Sequence, residues 1–162
     1  IRLSLVGSEM CIRDRYVNSP GLVAIHDGVR PFVSVNTIRR CFETAEKYGN
    51  AIPVISPDDS LRMVTEKGNN PVDRQNVKQI QTPQVFDTEL IKKAYLQEYR
   101  PEFTDDATVL EITGVKINLV EGNRENIKLT NPEDIFIAEA FFLNPPDALA
   151  SPGSSGSQSR LD

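Results

Sequence analysis

The chain has 162 residues, 39% of them hydrophobic, with a formal charge of −5 and a pI near 5.0. That is enough apolar material for one ordinary core, while the acidic balance excludes a general nucleic-acid or membrane-surface binder, which needs a basic face to neutralise phosphates. One histidine, His26, and two cysteines, Cys11 and Cys41, exclude a disulfide framework, argue against a zinc site, and leave His26 as the only residue through which a Ser-His-Asp or Cys-His mechanism could run.

The chain opens with IRLSLVGSEMCIRDR, which has neither helical nor strand periodicity and no signal-peptide pattern. It resembles translated adapter sequence, so residues 1–15 are expected to be an artefactual segment outside the fold. Leu22 to Ile25 is a short apolar run that stops at His26-Asp27-Gly28, as a buried strand ending in a turn does. Ser34 is placed to cap a helix from Val35 to Lys47, with Ile38, Cys41, Phe42 and Ala45 at helical spacing. Ala51 to Ile55 reads as a second strand. From Ser56 to Gln81, β-prone pieces (61–65 and 77–80) flank a turn-rich run, Lys67-Gly68-Asn69-Asn70-Pro71, which predicts a hairpin arm over about 56–75 with little core of its own.

Helices are expected at 88–99 and at 105–112, the second capped by Thr104 and closed by Gly114, followed by a strand at 115–120. In the last predicted helix Asn131 is the cap, Pro132 sits in the first turn, Glu133 and Asp134 suit the dipole, and Ile135, Ala138 and Phe142 form the apolar face. From residue 144 to 162 the composition is rich in Pro, Ser and Gly, which predicts a disordered tail. Strands interleaved with helices between residues 16 and 143 imply a single α/β domain: a mainly parallel sheet in three layers. No segment approaches the roughly 20 apolar residues of a membrane span, and the sparse cysteine content points to a reducing cytoplasm.

Three segments carry candidate chemistry. At the end of the first strand, where parallel sheets gather ligands, Asp27 could serve a cation and Arg30 an anion, and Gly28 allows close backbone approach. An isolated Asp-x-x-Arg is more often a salt-bridged turn. Val72-Asp73-Arg74 precedes Thr82-Pro83-Gln84-Val85-Phe86. Arg74 offers a planar fork for phosphate and Thr82 a hydroxyl directed by Pro83, though singly these are common surface and strand-end features. The run from Gly122 to Asp134 places Lys128 just before a helix start, as a point charge for an oxyanion or as a solvated lysine.

In this order, HDGVRPFVS, VDR with TPQVF, FTDDATVLE and VEGNRENIKLTNPED closely resemble the motifs of the 2-C-methyl-D-erythritol 4-phosphate cytidylyltransferase family of the non-mevalonate isoprenoid pathway, over about residues 23–142. The resemblance implies a Rossmann-like nucleotidyltransferase fold whose β-arm reaches into a partner subunit, hence a homodimer. It implies transfer of CMP from CTP to the sugar-alcohol phosphate with Mg²⁺ as the cation. Carried over by motif, Arg74 and Lys128 would position the acceptor phosphate, with Ser60 and Thr82 adding hydroxyl contacts. Asp27 and Arg30 would line the same pocket, Asp27 and Gly28 would face the nucleotide, and Asp27 would be the metal ligand. The match is loosest around Ser60, where the arm is longer than in some members. The family's glycine-rich loop, A-G-G-x-G-x-R-x with a following P-K-Q, does not occur in the 162 residues. The expectation is therefore an N-terminally truncated domain that is inactive alone. A ribitol 5-phosphate cytidylyltransferase, whose motifs overlap these, and a non-catalytic dimerisation or binding module of the same fold are the alternatives.

Overall fold

The computed structural model of the chain describes residues 20–144. The expectations for residues 1–15 and for the tail after 144 fall outside them. The chain divides into two compact units between Ile127 and Lys128.

In the first unit the elements follow the order β1 (Leu22–Ile25), α1 (Val35–Tyr48), β2 (Asn50–Ile55), β3 (Leu61–Thr65), β4 (Gly68–Val72), a 3₁₀ turn (Arg74–Asn76), β5 (Gln79–Ile80), β6 (Gln84–Asp87), α2 (Thr88–Ala94), α3 (Asp106–Glu111) and β7 (Leu119–Glu121). Alternation of side chains along β2 and β6 builds the layers. Ala51 and Val85 pack with Cys41 and Ala45 of α1, whereas their neighbours Ile52 and Phe86 pack with Ile91 and Ala94 of α2 and with Ala107, Val109 and Leu110 around α3. The sheet thus lies between α1 on one face and α2 with α3 on the other, the three-layer α/β arrangement expected.

The mainly parallel sheet is not what forms. Among the described residues only β2 and β7 pair in parallel; β1 with β6, β6 with β2, and β2 with β5 are antiparallel. The cause is the return from β2. Between β2 and β5 the chain makes a hairpin excursion instead of a crossover helix, so it comes back alongside β2 running the opposite way. β1, β2 and β7 nevertheless point in one direction, and their C-terminal ends gather at one edge.

The local signals explain most elements. Ser34 Oγ accepts the Thr37 N–H at 3.1 Å at the start of α1, and Gly49, at φ 81°, ends it in the left-handed conformation with its N–H on Ala45 O. Asp105, one residue past the predicted Thr104, caps α3 by accepting the Thr108 N–H at 2.9 Å; its carboxylate is the stronger acceptor. α2 stops at Ala94, short of the predicted 99, because the following residues are recruited to α3: Tyr95 Oη donates to Asp106 and Gln97 Nε2 to Val109 O. Asn50, fully buried, donates to Lys116 O and accepts from Asn118, fastening β2 to the chain ahead of β7. That leaves β7 only the last part of the predicted 115–120 strand.

The arm exists, but its turn is Glu66–Lys67, and the stretch from Gly68 to Pro71 is return strand instead of loop. In a two-stranded ribbon Pro71 is tolerated because one side of each strand faces solvent. Met63 and Val64 are exposed and no arm residue from 61 to 72 is buried.

The second unit contains α4 (Asp134–Leu143). Its start differs from expectation. Asn131 does not cap it; the Asp134 carboxylate instead reaches back to accept the N–H groups of Thr130 and Asn131, each at 2.8 Å, and these bonds hold its carboxyl below the usual range. Apolar residues surround the helix, and Ile135, Phe136, Ile137, Phe142 and Leu143 are all exposed, so no single apolar face is buried.

Two outcomes follow for the first unit. Phe86 is fully buried, and Phe86→Ala should lower the unfolding free energy by about 3–5 kcal/mol in urea titrations. Burial pushes the Cys41 thiol from 9.0 up to about 11, against the lowering effect of Arg40. The unfolded chain therefore ionises first, and stability held below pH 9 should erode as the pH rises toward 11. Urea midpoints across that range should fall less steeply in Cys41→Ala than in the parent.

Candidate functional site

Strand register decides what meets at the edge where β1, β2 and β7 end. Ile25 is paired with Gln84, so continuing the antiparallel register brings the two residues after β1 opposite Pro83 and Thr82. On its other side this returning chain pairs with β2 at Ala51↔Val85 and Val54↔Ile80. Three steps along β2 thus span five along the partner, a two-residue bulge that contains the cis Thr82–Pro83 bond.

At the bulge the Gln81 N–H still reaches Pro53 O of β2 at 2.8 Å, while the side chains of Gln81 and Thr82 turn on neighbouring loops. Asp27 N–H donates to Thr82 Oγ1 at 2.9 Å, and the same hydroxyl lies 2.9 Å from His26 Nδ1. Arg30 folds back with Nε 3.2 Å from Asp27 Oδ2, Nη1 2.7 Å from Asn126 O and Nη2 3.5 Å from Ile80 O. Its side chain is 14% exposed. The guanidinium expected to bind an anion is therefore engaged by protein acceptors, and the salt-bridged turn is present.

Beneath them lies a layer of buried amides. Gln81 Nε2 donates to Asn123 O at 2.8 Å, and its Oε1 accepts the Asn123 N–H at 3.2 Å. Asn126, fully buried, donates from Nδ2 to Thr82 O at 2.8 Å. Asn123 reaches the other way, accepting from Ser34 N and Thr37 Oγ1 and donating to Phe32 O. Three segments far apart in sequence, 26–34, 81–82 and 122–126, are thereby one hydrogen-bonded body. Sequence reasoning passed over Gln81, Asn123 and Asn126 as individual residues. Their signal was an amide-rich loop directly after a strand, where uncharged side chains with both donors and acceptors can be buried if fully paired.

Ser60 and Arg74 sit elsewhere in the unit. Ser60 is exposed between β2 and the arm. Arg74, exposed at the foot of the arm, donates from Nη1 to Asp58 O, while the Asp58 carboxylate pairs with Arg124; that pairing raises the Arg124 guanidinium further. Beside this foot a cavity of about 590 Å³ opens, lined among others by Ser56, Lys78, Glu121, Arg124 and Glu125. Lys78 Nζ donates to Ser56 Oγ at 2.7 Å. Gly28 is exposed in the turn between Asp27 and Arg30, and Lys128 is exposed at the start of the second unit. Among the described residues, no group of three or more His, Cys, Asp or Glu side chains could hold a metal ion, and no helix is long and apolar enough to cross a membrane.

Gly122 shows how closely the parts fit. A Cβ there would stand 2.2 Å from Gln81 Oε1 and 3.2 Å from Val54 O. Gly122→Ala should displace the Gln81 amide and cost about 1–3 kcal/mol, measurable as a lowered urea midpoint together with faster exchange of the Asn123 amide.

A sequence model of the 2-C-methyl-D-erythritol 4-phosphate cytidylyltransferase family matches residues 16–144. The chain is 54% identical over 124 residues to the protein of that name from Bacteroides thetaiotaomicron and 55% identical to its Bacteroides fragilis counterpart; both matches cover 76% of this chain. The chain spans 57% of the length of each of these curated relatives. Among solved structures it is similar to the 2-C-methyl-D-erythritol 4-phosphate cytidylyltransferase of Thermus thermophilus, with 33% identity and a TM-score of 0.71, covering 82% of this chain and 67% of that one. It is likewise similar to the 4-diphosphocytidyl-2C-methyl-D-erythritol synthase of Anaerococcus prevotii, with 30% identity and a TM-score of 0.72, covering 82% and 62%.

Proposed function

Because the chain belongs to the 2-C-methyl-D-erythritol 4-phosphate cytidylyltransferase family, we propose that the protein it forms transfers CMP from CTP to 2-C-methyl-D-erythritol 4-phosphate. The observation that carries the reading is the meeting of the segments at 26–30, 81–84 and 122–126 in one network at the shared end of β1, β2 and β7. Ligands of α/β sheets bind outside the carboxyl ends of strands. The reported relatives carry the methylerythritol phosphate name, which favours that acceptor over ribitol 5-phosphate.

In the proposed reaction a phosphate oxygen of the acceptor attacks the α-phosphorus of CTP. The new O–P bond forms as the bond to the β-phosphate bridge breaks, and pyrophosphate leaves with that bond's electrons. Both reactants are anions, so the protein's task is alignment and charge neutralisation, with no covalent intermediate on a side chain. Arg74 and Lys128 are assigned to the acceptor phosphate, with Ser60 and Thr82 as hydroxyl contacts and Asp27, Gly28 and Arg30 as the rim of the pocket. Mg²⁺ belongs to the proposal as the cation of a CTP complex: such an ion binds phosphates and water with one or two protein carboxylates, so Asp27 would be its protein ligand, and bound there it would neutralise phosphate charge. The arm is assigned to a homodimer in which it reaches the partner's site; its exposed Met63 and Val64 and its lack of buried residues support this. A cytoplasmic setting suits a chain whose Cys41 is an unpaired thiol.

The test joins this chain to the portion of the Bacteroides thetaiotaomicron relative that lies outside the match and follows pyrophosphate release from CTP. Release that depends on methylerythritol phosphate is the expected result, and none with any sugar-alcohol phosphate would sink the reading. In that protein Arg74→Ala and Lys128→Ala should each raise KM for the acceptor about tenfold or more, because each removes a charge-assisted contact. Unchanged acceptor kinetics in both would remove these two residues from the site.

A further inference from the structure

We propose that His26 is a positioning residue of this site: in its neutral form, with the proton on Nε2, it orients the Thr82 hydroxyl, which in turn holds the main chain of Asp27. The proposal rests on the reading that Asp27 borders the acceptor pocket.

The directions of the hydrogen bonds follow from what each atom can do. His26 Nε2 lies 3.0 Å from Arg30 O. A carbonyl oxygen only accepts, so Nε2 carries the proton. A neutral imidazole has one N–H, which leaves Nδ1 as a bare acceptor. Its partner at 2.9 Å, Thr82 Oγ1, must then be the donor. The hydroxyl proton is committed to the ring, and a lone pair on the same oxygen receives the Asp27 N–H at 2.9 Å. The result is a directed chain from Asp27 N–H to Thr82 O–H to His26 Nδ1, and from His26 Nε2–H to Arg30 O.

Both ends of this chain fall on one turn. Arg30 N–H bonds Asp27 O at 3.0 Å, and Arg30 Nε pairs with Asp27 Oδ2. His26 therefore grips the turn at its last residue directly and at its first through Thr82. The Thr82 carbonyl, opposite Asp27 in the continued register, accepts from Asn126 Nδ2 at 2.8 Å, and the Thr82 hydroxyl receives the Asp27 N–H in its place.

The chain has one histidine, so a long-range ¹H–¹⁵N spectrum of the imidazole needs no assignment. In mildly alkaline buffer the ring of the purified chain should show a bare Nδ1 and a protonated Nε2. Thr82→Val should shift the Nδ1 resonance and speed exchange of the Asp27 amide about tenfold, the loss of one hydrogen bond; Thr82→Ser should restore both. His26→Asn, whose amide oxygen can stand near Nδ1, should protect the Asp27 amide better than His26→Gln, which can reach only Arg30 O. Thermal melts identify any variant that fails to fold, and the wild-type ring spectrum decides the tautomer without a variant. A ring protonated on Nδ1 alone, or Thr82→Val with ring and amide both unmoved, would overturn the proposal. In the joined enzyme, Thr82→Val and His26→Gln should lower kcat/KM for the acceptor about tenfold, with Thr82→Ser near the parent. Expected spectra with unmoved kinetics would reduce His26 to a structural role and overturn the proposal. An inactive parent would instead remove the cytidylyl reading while leaving the tautomer result in place.

Discussion

A buried amide must find partners or it destabilises the fold by roughly 1–3 kcal/mol, and the edge where β1, β2 and β7 end is organised around that requirement. Gln81 and Asn126 are both buried, and Asn123 is half-buried between them. Each bonds main chain from another segment, and these bonds weld β1's outgoing turn, the bulge before β6 and the loop after β7 into one piece. Gly122 lacks a side chain because Gln81 occupies the space. Arg30 finds its acceptors because Asn126 and Ile80 present carbonyls there. One acceptor is left over: Asn126 Oδ1 is buried without a protein partner. Neutral bonds of this kind specify geometry strongly because almost any misplacement leaves a donor or acceptor stranded.

Where the sequence was legible, local chemistry was sufficient. The α1 boundaries follow from Ser34 and Gly49, and β1 from four apolar residues ending at a turn. Where it misled, the deciding contact was distant. Nothing within Val115 to Val120 announces that Asn50 will hold its first residues out of the ladder. The parallel sheet was inferred from alternating strands and helices, a rule that presumes crossover connections; the hairpin excursion between β2 and β5 breaks the presumption. Gly68 to Pro71 looked like a turn by composition, yet a solvent-exposed ribbon accepts residues that an interior strand would reject.

The site was legible as a set of segments and not as an arrangement. Asp27 and Thr82 are 55 residues apart in sequence, and only the register of β1 against β6 reveals that they touch. Arg30 illustrates the converse. Its spacing from Asp27 supported both a phosphate ligand and a salt-bridged turn, and the carbonyls it bonds in the fold, those of Asn126 and Ile80, belong to residues no local pattern links to it. His26, whose expected place was the end of a strand, has both ring nitrogens bonded there.

The foot of the arm is built on a different principle from the edge it adjoins. Asp58 is exposed and is approached by two guanidinium groups, Arg74 at its carbonyl and Arg124 at its carboxylate. Contacts of that type weaken as mobile ions accumulate, over a Debye length of roughly 8 Å at physiological ionic strength, whereas the amide lattice of Gln81, Asn123 and Asn126 carries no net charge for those ions to screen. Dissolved salt therefore acts unevenly on this unit: it slackens the root from which the hairpin projects and reaches far less the turn bearing Asp27, whose one ion pair, to Arg30, is largely shielded from water.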